Sequence, residues 1–122
     1  MVKKLDKTNI LLNNIVNVIQ DSKGKEIISI DLREIESAIF KYFIICTGTS
    51  SRHVNSIENK IKKIISQKTG DKPWHTEGKN SGEWVLMDYY DIIVHIFQEK
   101  TRKCYNLEEF WGDAKFINYN EN

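Results

Sequence analysis

The chain has 122 residues, 40% of them hydrophobic, and a formal net charge of +1. This length supports one ordinary hydrophobic core without metal or disulfide staples, so we expect a single domain over 1–122. The small net charge excludes a global field that draws a protein to nucleic acid or to a membrane surface. No apolar run approaches the roughly 20 residues of a membrane span.

The two cysteines set the expected compartment. Cys46 lies in an apolar run and Cys104 follows a basic run. Their spacing is neither that of a metal site nor that of a redox motif. We therefore expect reduced thiols, as is usual for a cytoplasmic protein.

The first half of the chain predicts helices alternating with strands. Apolar residues at helical spacing predict one helix over 10–19 and another over 54–65. The continuous apolar run YFIICT, at Tyr42–Thr47, predicts a central strand buried on both faces. Ser50 or Ser51 can cap the second helix and Gly70 can end it. A strand, a glycine turn and a helix in this order indicate a layered α/β domain.

Two shorter segments are predicted as strands around this unit. Glu26–Asp31 is one, and Lys72–Glu77 is the other, where Pro73 indicates the edge of a sheet. The apolar residues of Leu32–Phe40 suit a helical turn, but an irregular segment is equally compatible with them.

The stretch WVLMDYYDIIVHIF predicts a hairpin of two strands, 84–88 and 91–97, joined by Tyr89-Tyr90. With a two-residue loop, Asp88 lies opposite Asp91, and Trp84 lies opposite His95. Side chains alternate across a strand, so one face is purely apolar and forms the core: Val85, Met87, Ile92, Val94 and Ile96. The other face carries Trp84, Leu86, Ile93, His95 and Phe97, with both aspartates at its tip.

This second face has two interpretations. Like charges directly opposite each other destabilise a sheet, so fold stability does not explain Asp88 and Asp91. A mixed aromatic, aliphatic and acidic surface is typical of a protein-binding patch. The alternative is that a helix covers the face and the aspartates form only a solvated tip. The residues by themselves favour neither interpretation.

The C-terminal segment predicts two short helical stretches. A charged helical turn is predicted at Gln98–Lys103, and a helix at Leu107–Trp111. Asn106 would cap this second helix, with Glu109 as its capping-box partner. We expect residues 117–122 to form a frayed tail.

Enzymatic and metal-binding signals are weak. The turn Gly48–Ser51 could hold an anion at a helix N-terminus, but it lacks the glycine patterns of phosphate and dinucleotide loops. Asp88 and Asp91 lie three apart across a turn, so their oxygens need not converge on Mg²⁺. The three histidines lack the partners of a zinc site, and no nucleophile motif is present. We expect no catalytic residue, no metal and no cofactor.

The second helix has a basic outer face formed by Lys60, Lys62, Lys63 and Lys68. Such a face is commonly a matter of solubility, and it could also add non-specific attraction to RNA. It predicts no specific nucleic-acid partner.

Three blocks of the sequence closely resemble the ribosomal silencing factor family, the Iojap-like proteins. The blocks are YFIICTGTSSRHV (Tyr42–Val54), GEWVLMDYYDIIVHIF (Gly82–Phe97) and YNLEEFWGDA (Tyr105–Ala114). The resemblance covers roughly Ser29 to Ala114, with the blocks in order and at the expected separations. It is far more specific than any of the short motifs.

The resemblance implies a mixed five-stranded sheet flanked by helices, related to the nucleotidyltransferase fold but without its catalytic carboxylate pattern. It implies a protein that is not an enzyme and that binds the large ribosomal subunit through ribosomal protein number fourteen. An occupant there blocks joining with the small subunit and represses translation when nutrients are short. A weak homodimer through the same surface is also expected, because exposed apolar patches often self-associate.

The candidate partner-binding residues follow from the second face and the matched motifs. They combine aromatic and aliphatic anchors with carboxylates for a basic ribosomal protein: Trp84, Leu86, Asp88, Tyr89, Asp91, His95, Phe97, Leu107, Trp111 and Asp113. Tyr105 and Trp111 are the two motif aromatics most expected to be structural.

Tyr90 is a departure from the family, whose members usually have glycine at this point of the hairpin. Glycine adopts a positive φ freely and tyrosine does not. A longer or bulged loop is therefore an alternative to the two-residue loop, and it would change the strand register.

Three hypotheses on function remain from the sequence. The first is a binding protein that keeps ribosomal subunits apart. The second is a nucleotidyl- or phosphotransferase that uses Gly48–Ser51 and the two aspartates. The third is an RNA-binding module that uses the basic helix.

Overall fold

The structure, a computed structural model, describes the backbone of residues 4–119 and the side chains of residues 7–119. Its helices are α1 (Lys4–Asp21), α2 (Ser51–Thr69), α3 (Glu99–Tyr105) and α4 (Leu107–Phe110). Its strands are β1 (Lys25–Asp31), β2 (Tyr42–Gly48), β3 (His75–Glu77), β4 (Trp84–Asp88), β5 (Ile92–Gln98) and β6 (Lys115–Asn118). Within this described part, no helix combines the length and the apolar character needed to cross a bilayer.

The six strands form one mixed sheet in the order β3-β4-β5-β2-β1-β6. β2 and β5 run parallel, and the other neighbouring strands are antiparallel. The central strand predicted from YFIICT is confirmed, because every residue of β2 is buried. β3 lies at a sheet edge, as Pro73 indicated. The mixed α/β fold is thus confirmed, with six strands instead of the expected five.

The additional strand, β6, overlaps the start of the segment 117–122 that was expected to fray. It pairs antiparallel with β1. The backbone N–H of Tyr119 donates to the Ile27 carbonyl at 2.9 Å, and the Tyr119 hydroxyl lies 2.9 Å from that of Ser29. A frayed tail is therefore wrong for residues 117–119, while residues 120–122 lie outside the described range. The strand is hard to find in the sequence because all four of its residues are exposed and show no alternation.

α2 begins and ends where the sequence predicted. Oγ of Ser50 accepts a hydrogen bond from the backbone N–H of His53 at 3.0 Å, which caps the helix. Gly70 follows with φ of 80°, and its N–H donates to the Ser66 carbonyl at 3.1 Å. This left-handed residue ends the helix in the usual way for a glycine.

A separate hydrophobic cluster lies on each face of the sheet. On one face α1 and α2 pack against the strands, with side chains such as Ile19, Ile57 and Val94 in the cluster. The other face is covered by the segment 32–41 and by α4, and Leu107 is among the side chains packed there. The segment 32–41 contains only isolated turns, which settles its structure as irregular.

Candidate functional site

The β4–β5 hairpin has a different register from the one predicted. Trp84 lies opposite Phe97, and Asp88 lies opposite Ile93. The predicted pairing of the two aspartates is therefore wrong, and so is that of Trp84 with His95. The register is shifted by two residues, which leaves every side chain on the face that alternation assigned to it. The apolar face is confirmed as core, since its side chains are fully buried: Val85, Met87, Ile92, Val94 and Ile96.

Four residues, 89–92, lie between the paired Asp88 and Ile93, where the predicted pairing left two, and this explains the shift. Tyr90 has φ of 73°, a left-handed conformation that glycine adopts easily and tyrosine does not. Its N–H donates to Oδ1 of Asp88 at 2.8 Å, and the N–H of Asp91 donates to the Tyr89 carbonyl at 2.9 Å. The aspartates thus act separately, because Asp91 forms its own 3.6 Å ion pair with Lys41. The longer loop is the alternative that Tyr90 had indicated.

Much of the second face is covered by the protein itself. His95 is 3% exposed, Phe97 is fully buried, and Ile93 belongs with Phe97 to the hydrophobic cluster on this face. The prediction that His95 and Phe97 are open to a partner is therefore wrong, because the segment 32–41 and the chain beyond β5 cover them. Tyr89 is also buried, since its side chain lies on the core face with α2. The side chains of Tyr89, His95 and Phe97 are therefore not available for direct contact with a partner.

His95 is buried as a neutral side chain. Burial lowers the pKa of His95 to about 3. Its Nδ1 accepts a hydrogen bond from the indole N–H of Trp84 at 3.1 Å. A neutral imidazole that accepts at Nδ1 carries its proton on Nε2, and this Nε2 has no hydrogen-bond partner among the described residues. His95 therefore orients Trp84 at the border between the covered and the accessible part of the face.

The accessible part of the second face lies on β4. Trp84, Leu86 and Asp88 alternate along this strand and are each partly exposed, and we call them the β4 surface. The ring of Tyr105 packs on Trp84 with 4.6 Å between centroids, and Tyr105 is itself 57% exposed. The β4 surface therefore combines an aromatic group, an aliphatic group and a carboxylate.

The chain around α4 presents a second group of predicted residues. Leu107 and Trp111 are partly buried against the sheet, and Asp113 is exposed. Phe110, which the sequence analysis missed, is 75% exposed, with its ring edge-on to Trp111 at 4.9 Å. Leu107, Phe110 and Trp111 share helical spacing, so the sequence indicates one buried stripe. Only the structure shows that Phe110 points away from it.

Arg102 anchors this part of the chain to the sheet. Its Nη1 donates to the Glu26 carbonyl at 2.7 Å and to Oγ1 of Thr47 at 2.8 Å. Its Nε and Nη2 donate to one carboxylate oxygen of Glu108 at 2.9 and 2.8 Å. Arg102 as a whole is only 8% exposed. This role was not predictable from the sequence, because a cation inside a charged run usually indicates a solvated side chain.

Asn106 does not form the predicted capping box. Its φ of 49° is left-handed, and its N–H donates to the Arg102 carbonyl, which ends α3. Its side-chain amide donates to Oε1 of Glu109 at 2.8 Å, and no side-chain bond to the backbone caps α4. The prediction is wrong because a residue that closes one helix in a left-handed conformation lacks the extended backbone of an N-cap.

The turn Gly48–Ser51 uses its polar groups internally. The N–H of Thr49 donates to Nδ1 of His53 at 2.9 Å, and Nε2 of the same ring lies 2.8 Å from the Ser22 carbonyl. The Ser50 hydroxyl is engaged as the cap of α2. This arrangement is that of a capped turn, and it leaves the Thr49 N–H unavailable to an anion. Across residues 7–119, no group of three or more His, Cys, Asp or Glu side chains is arranged to hold a metal ion.

The outer face of α2 is basic, as the sequence indicated. The side chains of Lys60, Lys62, Lys63 and Lys68 are exposed. The one acidic residue of the helix, Glu58, is fully buried, with Nζ of Lys79 at 3.4 Å from its carboxylate. α2 therefore presents positive charge to solvent, on the layer opposite α4.

The chain matches the family model described as "Ribosomal silencing factor during starvation" over residues 5–122. It is 38% identical to the ribosomal silencing factor RsfS of Halalkalibacterium halodurans, over 88% of this chain and 90% of that protein. It is 26% identical to the mouse "Mitochondrial assembly of ribosomal large subunit protein 1", over 86% of this chain and 46% of that protein.

A solved structure of a Chromobacterium violaceum protein has the same fold. It superposes with a TM-score of 0.79 at 32% sequence identity, and the match covers 85% of each chain. The fold, the family model and the relatives agree with the three motif blocks that surround the β4 surface and α4. The chain therefore belongs to the ribosomal silencing factor family.

Proposed function

We propose that the protein represses translation by binding the large ribosomal subunit and keeping the small subunit from joining it. The observation that carries the proposal is the accessible aromatic and acidic surface formed by the β4 surface and Phe110, inside the segments that match the family. The name of the mouse relative, an assembly protein of the mitochondrial large ribosomal subunit, supports the choice of subunit.

Ribosomal protein number fourteen is the proposed contact on the large subunit, as the family resemblance implies. Ribosomal proteins are generally basic, so the Asp88 and Asp113 carboxylates would pair with lysine or arginine. Trp84, Leu86 and Phe110 would supply the buried apolar contact, since aromatic anchors dominate such interfaces. The buried His95 contributes indirectly, by orienting Trp84.

The mechanism on this proposal is steric. The chain occupies part of the face at which the subunits meet, and no covalent bond forms or breaks. The geometry of the enzyme alternative is poor, because the Thr49 N–H is engaged by His53 and Asp91 is paired with Lys41. Nucleotide binding that depends on Mg²⁺ would revive that alternative, and calorimetry with a nucleoside triphosphate measures it directly.

Sucrose-gradient sedimentation tests the proposal. Purified ribosomes are mixed with the protein at a Mg²⁺ concentration that permits subunit association. We expect the protein to sediment with the large subunit and the fraction of free subunits to rise. Sedimentation at the top of the gradient, or with the small subunit alone, would contradict the proposal.

RNA binding by α2 is a second candidate, favoured by its exposed lysines and its buried single acid. It predicts affinity for naked RNA that falls steeply with added salt. A filter-binding assay with ribosomal RNA separates the two candidates. Replacing Lys60, Lys62 and Lys63 by glutamine would remove RNA binding and leave the contact through the β4 surface intact.

A further inference from the structure

Two large aromatic side chains lie exposed beside each other at the β3 edge of the sheet. Trp74, just before β3, is 62% exposed, and Tyr90, in the β4–β5 loop, is 66% exposed. Their rings are nearly parallel, with 21° between planes and 6.0 Å between centroids. We call this pair the aromatic platform. It lies outside the β4 surface and is not among the residues predicted from the sequence.

The backbone at Tyr90 is strained for a tyrosine. Its φ of 73° lies in the left-handed region, which a bulky residue rarely adopts and glycine adopts freely. The ring contributes little to the core, since most of its surface faces solvent. Fold stability therefore favours glycine at this position. An observed backbone outlier with no structural benefit indicates a functional role for the side chain.

A carboxylate sits at the foot of the platform. The Asp88 carbonyl accepts a hydrogen bond from the N–H of Trp74 at 2.9 Å, and its carboxylate accepts one from the N–H of Tyr90 at 2.8 Å. Among the described residues, no cation forms an ion pair with Asp88. Two further acidic residues close by in the sequence, Asp71 and Asp91, are also exposed. Their charge is balanced by two exposed lysines, Lys72 and Lys41, and Lys41 forms an ion pair with Asp91.

This combination selects the chemistry of the occupant. Aromatic faces attract cations, and a flat guanidinium can stack on a ring while it donates to a carboxylate. A nucleobase could also stack on the rings, but its phosphates would then lie near the Asp88 carboxylate, which repels them. This carboxylate, which forms no ion pair within residues 7–119, therefore favours an arginine over a nucleotide.

We propose that the aromatic platform binds an arginine side chain of a basic protein partner, with the guanidinium stacked on Trp74 or Tyr90 and paired with Asp88. The identity of that partner as a ribosomal protein rests on the proposed function. The stacking site itself does not, because it is defined by the two rings and the carboxylate. Tyr90 would then lower the stability of the fold through its backbone conformation and raise the affinity for the partner through its ring.

The stacking site is tested first without ribosomes. The probe is an acetylated tetra-arginine peptide, and the readout is the indole N–H signal of Trp74 in NMR spectra, assigned with Trp74→Phe. We expect this signal to shift with tetra-arginine and to respond weakly to tetra-glutamate or to an oligouridylate. A Trp74 signal that does not move with tetra-arginine, or that moves more with oligouridylate, would overturn the inference.

Tyr90→Gly is the decisive variant, because strain relief and loss of the ring act in opposite directions. We expect a higher Tm than that of the wild type, together with loss of the tetra-arginine response. Tyr105→Ser, at an exposed tyrosine outside the platform, is the matched control and should keep the response. A Tyr90→Gly protein that is more stable and still responds like the wild type would refute a role for the ring.

Sedimentation with large subunits then identifies the source of the arginine. Tyr90→Gly should bind large subunits roughly fivefold more weakly than the wild type, as expected for one exposed cation–aromatic contact. Unchanged binding would overturn the assignment of the arginine to the ribosomal partner. A wild-type protein that fails to bind large subunits but responds to tetra-arginine would contradict the proposed function and leave the platform standing.

Discussion

The indole N–H of Trp84 donates a 3.1 Å hydrogen bond to Nδ1 of His95 on the neighbouring strand. This bond joins a partly exposed side chain to one that is 3% exposed. Because the pKa of His95 is lowered to about 3 by burial, the ring stays neutral and the bond persists over the physiological range. The orientation of Trp84 therefore depends on a histidine that is itself almost wholly buried.

The burial of His95 predicts that the stability of the protein depends on pH. His95→Gln should make this dependence weaker. In the unfolded chain a histidine titrates near a pKa of about 6.5, whereas the folded pKa is about 3. As the pH falls below the pKa of the unfolded chain, His95 binds a proton in the unfolded state but stays neutral in the folded state. Stability should therefore be fully present above that value and fall by about 1.4 kcal/mol per pH unit below it.

Urea unfolding from neutral pH down to about pH 5 measures this slope. Glutamine cannot titrate, and its side-chain carbonyl can still accept from Trp84. The wild type and His95→Gln share every other titrating group, so the difference between their slopes isolates His95. Parallel slopes in the two proteins would show that His95 does not titrate as we describe.

Arg102→Met should destabilise the protein by about 3 kcal/mol. The change removes four donor contacts, to Glu26, Thr47 and Glu108, and leaves a carboxylate without its cation. The matched control is Lys103→Met, since Lys103 is 77% exposed in its ion pair with Glu99. Exposed pairs of this kind contribute less than about 1 kcal/mol. Equal losses in the two variants, measured by urea unfolding, would argue against the anchoring role of Arg102.

Phe110→Ser should weaken binding to large subunits at least roughly tenfold and leave the fold intact. Phe110 is 75% exposed, so its removal costs the core little, whereas an aromatic anchor at an interface is commonly worth ~2 kcal/mol or more. Ile10→Ser is the control, because Ile10 is 52% exposed on α1 in the opposite layer. Sedimentation at several protein concentrations gives the affinities. Equal binding by both variants would place the contact elsewhere.

Gly78→Ala should destabilise the protein far more than Gly70→Ala. Both glycines have positive φ, 93° and 80°, so alanine pays a similar backbone cost at each. An added Cβ at Gly78 would lie 1.9 Å from the Trp84 carbonyl oxygen, whereas at Gly70 it would meet nothing within 4 Å. We expect a loss of about 1 kcal/mol at Gly70 and several times that at Gly78. Thermal unfolding of the pair separates steric overlap from backbone strain, and equal losses would contradict the overlap.

Local patterns in the sequence were sufficient for most elements but not for the site. Alternation assigned every β4 and β5 side chain to the correct face, because that assignment needs only the period of a strand. It could not show which face is covered, since the cover over His95 and Phe97 comes from the segment 32–41 and from α4. That arrangement depends on where distant parts of the chain return to the sheet.

The register depended on a single backbone angle. A two-residue loop is the commonest connection in a hairpin, and it would pair Asp88 with Asp91. Tyr90 instead adopts a left-handed conformation, and Asp88 pairs with Ile93. Tyr89 then lay on the core face and lost its expected exposure. Arg102 and Phe110 were missed for opposite reasons: a charged residue proved buried and an apolar one proved exposed.

β6 also shields the strand beside it. Its pairing with β1 occupies the backbone groups of residues 28–31, next to the buried Ile28 and Ile30. Proteolytic loss of β6 would turn β1 into a bare edge, and bare apolar edges promote aggregation between molecules. The exposed residues of this last described strand would then matter less for what they bind than for keeping separate copies of the protein from joining edge to edge.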